Sequence, residues 1–209
     1  MSFVKMDPRW KHPFTCIVAG PTACGKTVFM FKFVNEAGSL ITPPPEKIIY
    51  CYGEYQDIFA EHPHIEFVEG LPDISQFDGK QRILLIIDDL LSETNDCVEK
   101  IFTKGSHHRN ISVVFLSQNL FYKSKQNRTM SLNAHYLVLF KNPRDATQVS
   151  TLARQMYPGR NKFLVEAFKD ATAKPYGYLL IDLKGDTEEK YRIRTNIFSN
   201  ERQFVYVPK

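Results

Sequence analysis

The run Gly20-Pro21-Thr22-Ala23-Cys24-Gly25-Lys26-Thr27 matches G-x-x-x-x-G-K-[ST] and directly follows the apolar stretch Phe14–Ala19, which reads as a buried strand. A strand that enters a glycine-bearing loop and leaves it as a helix restricts the fold to few choices. The glycines let the backbone turn so that successive N–H groups converge on one anion, and the helix starting near Lys26 adds its positive dipole end. Residues Gly20, Pro21, Thr22, Ala23, Cys24, Gly25, Lys26 and Thr27 thus form a cradle for the phosphates of a nucleoside triphosphate. Lys26 is expected to meet the β- and γ-phosphates and Thr27 to ligate Mg²⁺. The apolar run Val28-Phe29-Met30-Phe31 supplies the buried face of the helix behind the loop.

Further strand-like runs recur at Lys47–Tyr52, Ile65–Val68, Ile83–Ile87, Ile111–Ser117, Tyr136–Phe140 and Tyr178–Leu183. Several are continuously apolar, as strands covered on both faces are. Helical patterns fall between them, at Lys26–Ala37, about Glu54–Glu61, Asn95–Lys104, Ala146–Tyr157 and Asn161–Ala171. Strands alternating with helices predict an α/β fold with a mostly parallel central sheet flanked by helices. The 209 residues show no internal repeat or boundary, so one domain is expected, with an N-terminal extension over 1–12 and a C-terminal tail over 184–209.

Arg82-Ile83-Leu84-Leu85-Ile86-Ile87-Asp88-Asp89-Leu90 is a hydrophobic strand ending in two carboxylates, the form of a Walker B element. Asp88 is placed to hold Mg²⁺ through water, and Asp89 to orient and polarise the attacking water. An aspartate after a strand also serves as a turn or cap residue. Downstream, Asn110–Asn119 is a second apolar strand with amides at its carboxyl end. If it lies between the strands of the two earlier motifs, Gln118 or Asn119 reaches the γ-phosphate or the lytic water, the layout of the additional-strand type of P-loop NTPase.

Before that strand stands the basic loop Lys104–Arg109, where Arg109 is the first candidate for an arginine completing a neighbouring subunit's site; Arg144 is the second. Either could instead pair with a surface carboxylate. Adjacent His107 and His108 diverge in an extended loop and lack a matching ligand set, so no metal is expected there. After Gln118, Leu120–Thr129 interleaves cations with aromatics, and Lys123, Lys125 and Arg128 are candidate contacts to a nucleic-acid backbone.

Charge is unevenly distributed: residues 1–120 carry 11 Lys+Arg against 15 Asp+Glu, whereas residues 121–209 carry 16 against 8. A polyanion approached by the C-terminal portion fits that asymmetry, as does a solvated basic surface. No apolar run approaches the ~18 residues of a membrane span, and the N-terminus lacks the apolar core of a signal peptide. A soluble, intracellular protein is expected. Cys16, Cys24, Cys51 and Cys97 form no C-x-x-C pair, which points to reduced thiols. Cys24, inside the loop, is expected to have its pKa lowered by amides and Lys26, so that alkylation inactivates.

Together these stretches resemble the packaging ATPases of the FtsK/HerA superfamily, in particular the poxvirus A32-like group of double-stranded DNA viruses and Polinton (Maverick) transposons. The resemblance is carried by Ile17–Thr27, Tyr52-Gly53-Glu54-Tyr55-Gln56, Leu85–Leu90, His107–Ser112, Ser117–Phe121 and Phe140–Asp145. It implies an ATP- and Mg²⁺-dependent homo-oligomeric ring that drives duplex DNA into a capsid, with a capsid or portal partner and no membrane. It also implies a location in the host nucleus or cytoplasm, or in the virion. Matched by position, Lys26 and Thr27 take the phosphate and metal, Asp88 the Walker B role, Gln118 the sensor role and Arg109 the trans finger. One departure is Asp89, where the superfamily commonly has Glu; the shorter carboxylate either suffices or is assisted by Glu54 or Glu93.

Two other classes share parts of this pattern. A superfamily 3 viral helicase has a similar loop and paired acids but carries a helical oligomerisation domain ahead of the loop, not expected from the short segment before Phe14. A nucleoside or nucleotide kinase would need an arginine-rich lid and an acceptor pocket. A GTPase is disfavoured, since Asn161-Lys162 is followed by Phe163-Leu164 and no N-K-x-D element occurs. A non-catalytic nucleotide clamp is disfavoured by the two intact acids.

Overall fold

The structure, a computed structural model, describes residues 7–88, 90, 98, 101–102, 109–120 and 130–208. In chain order the strands are β1 (Trp10–Lys11), β2 (Thr15–Ala19), β3 (Ile41–Thr42), β4 (Lys47–Tyr52), β5 (Glu66–Glu69) and β6 (Ile83–Asp88). They continue with β7 (Ile111–Ser117), β8 (Tyr136–Phe140), β9 (Tyr178–Asp182), β10 (Ile193–Thr195) and β11 (Phe204–Tyr206). The α-helices whose bounds lie within the described residues are α1 (Lys26–Asn35), the single turn α2 (Ala37–Leu40), α3 (Thr147–Met156) and α4 (Asn161–Ala171). Short 3₁₀ turns replace the expected helix around Glu54–Glu61, covering only Asp57–Glu61.

Nine strands form one sheet in the order β11-β10-β9-β8-β2-β7-β6-β4-β5. From β5 to β8 every pairing is parallel. Strand β7 is inserted between the strand of the phosphate loop and the strand of the paired acids. The fold is therefore an α/β P-loop NTPase fold of the additional-strand type.

Alternation along the strands explains why they read as unbroken apolar runs. Cys16, Val18, Tyr50, Leu84, Ile86, Val114 and Leu116 face α1, packing with Phe29, Met30, Phe33 and Val34. Ile17, Ala19, Ile49, Cys51, Leu85, Ile87, Val113 and Phe115 face the other way, in the layer with Leu152 and Ala153 of α3 and Leu164 and Ala167 of α4. Both faces of each central strand leave water, and that apolar burial is the main stabilising term.

The far side of the sheet departs from the parallel pattern. Strands β9, β10 and β11 each run antiparallel to their neighbours. One helix after a strand returns the chain to the amino edge, but two helices, α3 and α4, separate β8 from β9 and carry it back to the carboxyl edge. The segment 184–209, expected as a tail, contributes β10 and β11, and Arg194 of β10 is buried with Asp182 of β9 at 3.0 Å. The expected N-terminal extension is likewise built in: β1 pairs with β3, and buried Trp10 stacks on Tyr136 at 4.2 Å between ring centroids. No helix among the described residues is long and apolar enough to cross a membrane.

Candidate nucleotide site

Because β2, β4, β6, β7 and β8 are parallel, their carboxyl ends share one edge, and the motifs that follow them meet there. Residues 20–27 follow β2, Gly53 and Glu54 follow β4, Asp88 ends β6, and Gln118 follows β7. Thr22, Ala23, Lys26, Thr27, Glu54, Asp88, Ser117 and Gln118 line a single polar cleft of ≈ 820 Å³.

The loop is shaped by close approach and by left-handed backbone. A Cβ on Gly20 would stand 2.6 Å from Cys24 Sγ and 2.7 Å from Phe140 Cβ, so no larger residue fits. Ala23 and Gly25 have φ of 62° and 107°, left-handed backbone that makes the loop turn tightly. Helix α1 begins at once, so the amides of its first turn lack intrahelical acceptors. Lys26 Nζ donates to Gly20 O at 2.6 Å and Pro21 O at 3.0 Å, which holds the ammonium over the loop.

The inserted strand sets the distance across the cleft. Two interstrand steps of about 4.8 Å separate β2 from β6, leaving about 10 Å between their backbones. Asp88 at the end of β6 and Gln118 after β7 thus line the cleft together with Thr27. Thr27 hydroxyl and Asp88 carboxylate are hard oxygen donors, a set that fits Mg²⁺ completed by phosphates and water. Gln118 is exposed in the cleft.

Asn119, the alternative to Gln118, is committed elsewhere. Its backbone N–H and carbonyl both engage Ser117 Oγ, and its Oδ1 accepts from Gln148 Nε2 at 3.1 Å. Gln148 of α3 also accepts from Leu120 N at 2.6 Å and donates to Asp145 Oδ2 at 2.7 Å. This brace ties the loop after β7 to the loop after β8.

Tyr50 is a residue that sequence reasoning missed. It is fully buried, and its hydroxyl donates to Asp88 Oδ2 at 2.6 Å. The register explains the reach: Tyr50 pairs with Ile86, so Asp88 is the diagonal neighbour two residues on and shares its face. Burial, with the Asp88 charge and hydrogen bond adding to it, pushes the Tyr50 phenol up, so it remains a donor. A buried tyrosine in an aliphatic strand signals that its hydroxyl needs a partner, but only the pairing of β4 with β6 identifies which.

The remaining candidates fall in other places. Arg109 precedes β7 at the amino edge, and seven strand residues of about 3.3 Å each put it about 20 Å or more from the cleft. It cannot reach the loop of its own chain, and its Nη1 donates to Phe77 O at 3.1 Å. Arg144, by contrast, is on the loop's edge, lining a second opening with Pro21, Thr22, Gln118, Asn119 and Asn142. Asp89, Lys123, Lys125 and Arg128 lie outside the described residues, as do Glu93, Cys97, His107, His108 and most of the expected Asn95–Lys104 helix.

The expected activation of Cys24 is corrected. Its pKa is raised, because burial of the half-buried thiol outweighs the charge of Lys26 and the loop amides. Lys26 directs its ammonium to the Gly20 and Pro21 carbonyls, and Cys24 N–H is turned to Pro21 O at 3.3 Å.

The chain matches no protein-family model and no curated protein. Among solved structures it is similar to the genome packaging NTPase B204 of Sulfolobus turreted icosahedral virus 2, determined in complex with ATP-γ-S. The TM-score is 0.49 at 13% sequence identity, with 97% of this chain and 99% of that chain covered. A likeness at that level assigns no side chain, and the roles above stand on the geometry.

Proposed function

We propose that the chain is an ATPase that works as a homo-oligomeric ring and drives double-stranded DNA of a viral or virus-like genome into a capsid. The observation that carries the ATPase reading is the convergence of Lys26, Thr27, Asp88 and Gln118 on one cleft, with β7 inserted between β2 and β6. In this reading the loop amides and Lys26 bind the β- and γ-phosphates, and the oxygens of Thr27 and Asp88 hold Mg²⁺. Bound there, Mg²⁺ neutralises charge developing on the phosphates. Tyr50 fixes one oxygen of Asp88, Asp89 polarises the attacking water, and Gln118 registers the γ-phosphate.

Two features support the larger assembly. Arg109 stands too far from its own cleft to act there, so a role in catalysis requires a neighbouring chain. The basic balance of residues 121–209, with Lys123, Lys125 and Arg128 in one loop, suits a partner whose phosphates are contacted without base reading. The DNA-packaging role itself, with a capsid or portal partner and the A32-like subtype, rests on the resemblance of the motifs.

The test is ATP turnover by wild type, Lys26→Ala, Arg109→Ala and mixtures of wild type with Arg109→Ala. Lys26→Ala is expected to lose turnover; unchanged turnover would remove the phosphate-loop assignment. Arg109→Ala is expected to bind ATP, fail to hydrolyse it and suppress wild-type subunits more than in proportion to its fraction. Strictly proportional loss would refute action in trans.

A further inference from the structure

Openings flank the phosphate loop on either side. Toward β7 lies the polar cleft of Lys26, Thr27, Asp88 and Gln118. On the other side, past Gly25, a cleft of ≈ 580 Å³ opens between the start of α1, the turn entering β9 and the segment joining β10 to β11. Its walls include Val28, Pro175, Tyr176, Asn196 and Arg202.

This second cleft displays apolar groups where burial would be expected. Val28, in the first turn of α1, is 56% exposed and Tyr176 is 70% exposed. Tyr176 lies directly against the phosphate loop: a Cβ on Gly25 would come within 2.9 Å of its Cδ1 and 3.3 Å of its own Cβ. The turn Lys174-Pro175-Tyr176-Gly177 is closed by Gly177 N–H to Lys174 O at 3.1 Å, and Tyr176 occupies its third position with φ 63°. Glycine or asparagine ordinarily takes such a position. Asn196, lining the same cleft, has φ 56°. Strained backbone that presents an aromatic ring to solvent beside a binding loop is the signature of a ligand clamp rather than of core packing.

In the phosphate-loop reading the terminal phosphate is at Lys26, Asp88 and Gln118, and the ribose and base leave the loop through an opening beside it. The opening toward Arg144 has no aromatic ring in its lining among the described residues, whereas the cleft past Gly25 presents the exposed ring of Tyr176. We infer that this cleft receives the base of the bound nucleoside triphosphate, with Tyr176 as its stacking platform. The inference rests on the phosphate-loop reading above. Thr195 Oγ1 donates to Tyr178 O at 2.6 Å and Asn196 Nδ2 to Arg202 O at 3.4 Å, so these two donors are already engaged, and the exposed Tyr176 ring offers the base a stacking face.

The test compares binding of ATP with binding of inorganic tripolyphosphate, which has no base, to the full chain and to Tyr176→Ala and Tyr176→Trp. Tyr176→Ala should weaken ATP about tenfold and leave tripolyphosphate unchanged, while Tyr176→Trp keeps ATP affinity within about twofold. Tripolyphosphate binding serves as the check that the loop is still folded. Unchanged ATP affinity in Tyr176→Ala, or equal weakening of both ligands, would overturn the assignment. A wild type that binds both ligands equally well would remove the base site alone, whereas one that binds neither would remove the phosphate-loop reading with it.

Discussion

Replacing Tyr50 by Phe deletes one hydroxyl and leaves the aromatic packing in place. The ring stacks on Phe31 at 5.7 Å and meets Phe59 and Phe67 at 5.6 Å each, contacts that phenylalanine retains. What is lost is the 2.6 Å hydrogen bond to Asp88 Oδ2. A hydrogen bond to a charged group contributes about 1.5–3 kcal/mol, which corresponds to roughly 10- to 150-fold in an equilibrium constant. Groups that orient a metal-holding carboxylate have effects of about 10- to 100-fold on metal affinity or activity. Tyr50→Phe should therefore raise the free Mg²⁺ needed for half-maximal ATP turnover by at least about tenfold, with nucleotide affinity in the absence of Mg²⁺ unchanged. Asp88 is only half-buried and can be solvated from the cleft, so the melting temperature should change little. An unaltered Mg²⁺ dependence in a folded variant would refute the role given to Tyr50. Equal losses with and without Mg²⁺ would show that the hydroxyl supports the loop rather than Asp88.

Three further outcomes follow from the packing around the site. Arg194→Ala should destabilise the chain by about 3–5 kcal/mol in denaturant unfolding, since it strands the buried Asp182 carboxylate, and Arg194→Met with Asp182→Leu should recover most of the loss; a neutral single variant would contradict this. Burial lowers the pKa of His12, whose neutral ring bridges Ser112 Oγ at 2.6 Å and Asn110 Oδ1 at 3.0 Å. The unfolded chain therefore takes up the proton first, so stability is full above the ordinary histidine pKa and declines as pH falls below it; thermal melts of wild type and His12→Gln should converge at low pH, and parallel curves would refute the assignment. Gly20→Ala should destabilise by about 1–3 kcal/mol and abolish triphosphate binding, because its methyl would overlap Cys24 Sγ and Phe140 Cβ; calorimetric binding equal to wild type would show that the loop tolerates the methyl group.

The parallel half of the sheet was legible because its strands are long and covered on both faces. Lys47–Tyr52, Ile111–Ser117 and Tyr136–Phe140 were bounded from their apolar runs, and the polar end at Gln118 pointed to an inserted strand. Strands β1, β3, β10 and β11 were not legible, because two or three residues are too few to show a period of two. The antiparallel turn of the sheet was missed although α3 and α4 were both expected, since the direction of β9 follows from counting the helices before it. In the site, the motifs named Lys26, Thr27, Asp88 and Gln118 because each is tied to a strand end. Tyr50 and Gln148 act through partners supplied by other elements, which local sequence does not encode. The Cys24 expectation failed because it gave weight to neighbouring charge and none to burial.

The most direct measurement is steady-state ATP hydrolysis by the purified chain, alone, with long duplex DNA and with single-stranded DNA, using Lys26→Ala as the blank. Turnover absent from Lys26→Ala and stimulated chiefly by duplex DNA is the predicted result. Stimulation chiefly by single strands would replace the packaging motor with a helicase, and wild-type turnover no greater than that of Lys26→Ala in all three conditions would contradict an ATP-hydrolysing site in this cleft.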